Sequence, residues 1–133
     1  MKPNRWMAAI LAGALSSCAA LGGPRKLSRE ADVKGAVGVV RFTKVDRSVT
    51  AIDLRVRGLP DPEKLTPPGY VYIAWVRADR EAPPRNVGYL NIGPRSTGEL
   101  RALTEHDCAE LFVTAEGSSD VERPSGPRLL WTN

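Results

Sequence analysis

Residues 49–57 read Val-Thr-Ala-Ile-Asp-Leu-Arg-Val-Arg. Ile52, Leu54 and Val56 alternate with Asp53, Arg55 and Arg57. Successive side chains on a strand point to opposite faces. The stretch is therefore read as a half-buried strand, with its aliphatic face in a core and its charged face in water. Upstream, across a turn at Asp46-Arg47-Ser48, residues 36–43 (AVGVVRFT) are rich in β-branched residues and read as its neighbour. Downstream, residues 58–69 carry Pro60, Pro62, Pro67 and Pro68, which makes them a long connection.

The same reading continues along the chain. Residues 70–77 (YVYIAWVR) are apolar on both faces, as a central strand is. A charged turn holding Pro83-Pro84 follows. Strands are expected at 86–92 and 97–103, with Gly93-Pro94-Arg95-Ser96 between them, then at 111–116. A polar loop over 117–126 leads to a last strand at 128–131. Seven short strands with frequent Gly/Pro turns predict an all-β fold, a single antiparallel β-sandwich of immunoglobulin-like type spanning residues 36–133. Ile52, Leu54, Val56, Ile73, Trp75, Val113 and Leu129 are its predicted core. No long amphipathic helix, internal repeat or low-complexity tract competes with this reading.

The N-terminal stretch is of another kind. Lys2 and Arg5 precede an uncharged run from Trp6 to Leu15, and small residues lead from it to Cys18. As a helix the run reaches only ~15 Å, against a hydrocarbon core of ~30 Å. It is therefore read as a secretory signal over residues 1–17 rather than a membrane span. Residues 18–35, with Gly22-Gly23-Pro24 and mixed charges, read as a flexible tether of r.m.s. reach ~20–25 Å.

Cleavage before Cys18 removes Lys2 and Arg5, leaving 17 basic residues against 15 acidic ones. That balance, spread along the chain, makes nucleic acid a poor partner. Cys18 and Cys108 are the only cysteines. A lipidated Cys18 leaves Cys108 without an intramolecular partner, so it reads as a small buried hydrophobe.

Two family resemblances follow from these residues. Leu15-Ser16-Ser17-Cys18 resembles the lipobox of bacterial lipoproteins. The resemblance implies a diacylglyceryl-modified Cys18, cleavage before it and a membrane held through lipid. Two lipid signals suffice for stable anchoring. Ala19, in place of Asp, implies the outer membrane facing the periplasm if the source is Gram-negative. Residues 70–131 resemble the extracytoplasmic C-terminal domain of anti-sigma-K-type factors. The resemblance rests on Tyr72-Ile-Ala-Trp75, Val87-Gly88-Tyr89, Thr97-Gly98-Glu99, Phe112-Val-Thr114-Ala-Glu116-Gly117 and Pro124-Ser-Gly126-Pro-Arg-Leu-Leu130. It implies a compact all-β domain with a sensory or protein-binding use. The membrane helix and cytoplasmic zinc-binding domain of that family have no counterpart here, so its sigma-sequestering role does not carry over.

Residues with chemical potential are few. Glu105-His106-Asp107-Cys108 could combine a thiol with a base or offer zinc donors. A nucleophile pair usually comes from remote positions, however, and a structural zinc site needs four ligands. Glu116, Ser118, Asp120 and Glu122 could offer oxygens to calcium, but the Asp-x-Asp-x-Asp-Gly pattern is missing. No catalytic residue, metal ligand or cofactor is assigned. Tyr70, Tyr72 and Tyr89 are the candidate partner-binding residues, with Tyr70 and Tyr72 on one face. The expected function is a lipid-anchored, extracytoplasmic envelope protein whose domain binds a partner or supports the envelope without catalysis. The alternatives are an accessory in envelope signalling and a small enzyme using His106 and Cys108.

Overall fold

A computed structural model describes residues 23–105 and 110–132 of the chain. Its strands are β1 (Arg25–Lys26), β2 (Ser28–Arg29), β3 (Val37–Lys44), β4 (Thr50–Arg57), β5 (Val71–Arg77), β6 (Arg85–Ile92), β7 (Thr97–Thr104), β8 (Glu110–Glu116) and β9 (Leu130–Trp131). The seven expected strands are β3 to β9, each placed within two residues. All pairings are antiparallel, and the strands join in the order β1-β3-β4-β7-β6-β5-β8-β9-β2.

The two ends of that order, β1 and β2, are separated in the chain by Leu27 alone. One short segment therefore pairs with both edges of the sheet, which is nearly closed on itself. Leu27 N–H donates to the Gly38 carbonyl at 2.9 Å and its side chain enters the core. Gly38 makes room for it: a Cβ there would lie 2.9 Å from Leu27 Cδ1. The expected tether is corrected on this point. Residues 25–35 belong to the folded unit, with Val33 and Ala36 also buried, so only residues 19–24 lie between Cys18 and the first described strand. Two-residue strands have no periodicity to read, and their stability comes wholly from the edges that they cover.

Strand β6 changes partner along its length. Residues up to Leu90 pair with β5, whereas Asn91 and Ile92 pair with β7. Gly88 opposes Ala74 while Asn86 opposes Trp75, which leaves Val87 as a bulge. Such a bulge bends its strand. Gly88 has φ +138°, and a Cβ would stand 2.8 Å from Leu100 Cδ1. The position thus combines a backbone conformation and a close approach that both favour glycine.

Every predicted core residue is buried. Val40, Phe42, Ile52, Leu54, Val56, Tyr72, Ala74, Val76, Leu111, Val113 and Leu130 form one cluster on the inner face, drawn from both ends of the strand order. Ile73, Trp75 and Phe112 form a second cluster on the outer face of β5 and β8, flanked by Val71, Val121 and Trp131. Strand β5 is therefore covered on both sides, as its uninterrupted apolar sequence predicted.

Candidate functional site

The outer cluster is built around a buried carboxylate. Glu116, the last residue of β8, is 1% exposed. It accepts hydrogen bonds from Thr114 Oγ1 at 2.5 Å, from Ser125 Oγ at 2.6 Å and from Ser125 N–H at 3.1 Å. Thr114 Oγ1 in turn accepts the indole N–H of Trp75 at 2.9 Å. Alternation on β8 places Thr114 and Glu116 on the face that also carries Phe112. Neighbouring β5 brings Trp75 to that same face. The chain after β8 then folds back so that Ser125 meets the carboxylate. A buried acidic group is costly unless hydrogen-bonded, and here each donor is held by the strand or loop that it pins down.

A second acid lies at the other end of the same face. Glu110 accepts from Arg77 Nη2 at 3.0 Å and from Arg128 Nη1 at 2.6 Å. The Arg77 guanidinium lies over Phe112, and that of Arg128 lies over Trp131. Trp75 and Phe112 stack with ring centroids 6.4 Å apart. The face is thus a layer of indole and phenyl rings closed at both ends by an anchored carboxylate. Asn86 ties the covering loop to β6, donating to the carbonyls of Ser119 and Val121 at 3.0 and 2.9 Å.

The three candidate tyrosines separate. Tyr70 is 73% exposed and Tyr89 is 51% exposed. Tyr72 is buried in the inner core, and its hydroxyl donates to the Pro60 carbonyl at 2.6 Å. Burial pushes its phenol well above the ordinary tyrosine range, and the nearby charge of Asp61 adds to this. The expected exposed face shared by Tyr70 and Tyr72 is therefore corrected. Tyr70 precedes β5 and stays in solvent, whereas Tyr72 pins the proline-rich connection to the core.

The other candidates are placed as follows. Cys18 and Ala19, and His106 and Cys108, lie outside the described residues. Of the acidic loop, Glu116 is buried beneath the returning chain, Ser118 Oγ donates to Asp120 at 2.7 Å, and Glu122 is exposed. Among the described residues no group of three His, Cys, Asp or Glu side chains could hold a metal ion. An open groove of about 1080 Å³ runs between the start of β6, the end of β7 and residues 120–124. Arg85, Glu105, Asp120, Glu122 and Arg123 give it mixed charge without a nucleophile paired to a base.

Sequence reading passed over the hydrogen-bond partnership itself. Thr114 and Glu116 were legible as members of one motif and Ser125 as a member of another. The one available signal was a Thr-x-Glu spacing on an otherwise apolar strand, which puts two polar groups on a buried face. The chain matches no known family model and no curated protein sequence.

Proposed function

We propose that this chain is a bacterial envelope lipoprotein, acylated on Cys18, whose β-domain serves as a non-enzymatic binding or supporting module outside the cytoplasm. The observation that carries the reading is Leu15-Ser16-Ser17-Cys18, set behind Lys2, Arg5 and an apolar run too short to span a bilayer. Among the described residues the first strand begins at Arg25, so removal of residues 1–17 leaves every described strand intact. The finer description of the fold belongs to the same proposal. The inner core receives side chains from both ends of the strand order, as the two facing layers of a sandwich would supply them.

A second reading, an accessory in envelope signalling, draws on one specific observation. Trp75, Thr114, Glu116 and Ser125 come from three of the motifs that resemble the anti-sigma-K-type domain, and they join in one buried hydrogen-bond network. Motifs far apart in sequence thus share a single physical task. Under this reading the use of the domain is contact with an envelope protein, and Tyr70 and Tyr89 remain the aromatic side chains available for it.

Mass spectrometry of the mature N-terminus tests the anchor. The expected result is a diacylated or triacylated Cys18, and an unmodified residue there refutes the proposal. Affinity capture from membranes, with a Cys18→Ala control, tests the binding role. A partner recovered only with the acylated chain supports it, and recovery of none counts against it.

A further inference from the structure

Among the described residues no segment covers the outer face of β1, β3, β4 and β7, and the composition of that face is uneven. Register places Lys26, Val39, Arg55, Glu99 and Asn91 in one row, and Arg41, Asp53 and Arg101 in the next. Val37, Arg57 and Thr97 form a row toward one end, and Thr43, Ala51 and Leu103 form one toward the other. Five cations, Lys26, Arg41, Arg55, Arg57 and Arg101, therefore share this face with two carboxylates, Asp53 and Glu99. Among the described residues Asp53 is paired with Arg55 at 3.4 Å, while Arg41, Arg57 and Arg101 make no ion pair. From Cys18 onward the chain has 17 basic and 15 acidic residues. The face thus holds more than the whole positive excess, and the remainder of that chain is close to neutral.

Two further features say what such a face suits. It is not purely polar: Val39 is 36% exposed and Leu103 is 68% exposed among the cations. Basic side chains around exposed aliphatic ones match the chemistry of a bilayer interface, with anionic headgroups above acyl chains. The face also adjoins the start of the sheet. Strand β1 is its edge, and Cys18 lies seven residues before Arg25, a span of at most ~25 Å when fully extended.

We propose that this face is a docking surface for a membrane rich in anionic phospholipid, and that it lays the domain flat against the bilayer. The inference rests on the anchored reading for its placement, while its binding chemistry is independent of the acyl chain. The cations approach the headgroups, Leu103 and Val39 enter the interface, and the roofed face of β5, β8 and β9 is turned away. Asp53 and Glu99 limit the attraction. Docking is therefore salt-sensitive and reversible, and it fades as the screening length falls toward ~3 Å at molar salt.

The test uses the chain from residue 18 with Cys18→Ala. It retains every described strand and the described core, and it has neither leader nor lipid. It is sedimented with vesicles of phosphatidylcholine alone, and with vesicles of equal parts phosphatidylcholine and phosphatidylglycerol. Binding is expected only to the anionic vesicles. Arg41→Glu with Arg101→Glu is expected to weaken it at least ~20-fold, at roughly fivefold per cation removed. Arg29→Glu with Arg80→Glu, on β2 and in the turn after β5, makes the same change of charge away from the face and is expected to leave binding within about threefold. If the first variant fails to fold, Arg41→Gln with Arg101→Gln, which cannot repel Asp53, is expected to weaken binding at least about tenfold. Equal binding to both vesicles, or equal losses from the two pairs of variants, would overturn the proposal. Because Cys18 is absent throughout, such a failure leaves the acylation reading to be decided by its own mass measurement.

Discussion

The outer faces of the two halves of the sheet are opposites. Over β5, β8 and β9 the surface is apolar and roofed, with Trp75 and Phe112 lying under the chain that follows β8. Over β3, β4 and β7 it is charged, and no described segment covers it. A face that stays in water tolerates any side chain, so β4 alternates aliphatic with charged residues. A face that another segment covers must be apolar or internally hydrogen-bonded. Hence β5 is apolar at every position from Val71 to Val76, and the polar groups on its neighbour β8 appear where partners meet them, Thr114 and Glu116 with Trp75 and Ser125, and Glu110 with Arg77 and Arg128. The roof accordingly depends on specific partnerships, whereas the bare face does not.

The largest effect that separates the two faces is cavity formation. Trp75→Ala is expected to lower stability by about 3–5 kcal/mol, and Arg101→Ala on the bare face to change it by no more than about 0.5 kcal/mol. Chemical denaturation of both variants reads the difference, and similar losses from the two would abolish the contrast. Glu116→Ala comes next. It strands the Thr114 hydroxyl and the Ser125 N–H, at an expected cost of about 2–4 kcal/mol. It should also expose residues 117–128 to limited proteolysis before the sheet melts. A variant that resists protease as the native chain does would mean that the carboxylate does not hold the roof.

The smallest effect is one of pH, on a turn of the bare half. Asp46 Oδ1 accepts from Ser48 N–H at 2.8 Å and from Val49 N–H at 3.0 Å. The backbone bond from Ser48 is the main cause that lowers its pKa from the ordinary aspartate value, with its hydroxyl, the Val49 N–H and Lys44 adding to it. A lowered folded-state pKa favours the folded form above the ordinary value. That contribution fades as pH falls through the lowered one. An NMR titration of the Asp46 carboxyl should therefore show a midpoint below that of an unstructured peptide of the same sequence. An equal midpoint would show that the turn is open in solution.

Much of the fold was legible because alternation is a local signal. The pattern around Ile52, Leu54 and Val56 needs no knowledge of the partner strand. The continuous run from Val71 to Val76 announces cover on both sides without saying what supplies it. The candidate site was less legible. Tyr72 has the same parity as Tyr70, yet the first fills the core and the second stands in water. The difference is that the 58–69 connection folds over Tyr72, and side-chain parity cannot report a distant loop. The Thr114–Glu116 pair was visible as a motif, but its meaning depended on Ser125, which the loop brings back from nine residues away.

The sequence by itself determined the all-β class, the identity and approximate limits of seven strands, and the burial of Ile52, Leu54, Val56, Ile73, Trp75, Val113 and Leu129. These follow from residue chemistry repeating with the period of the strand. Tertiary structure alone decided that residues 25–29 close the sheet, that β6 changes partner beyond Leu90, and that among the described residues one outer face is roofed while the other is bare. Each of these depends on contacts between segments far apart in the chain. Their free energy lies in covering an edge or a face, a property that neither segment carries alone.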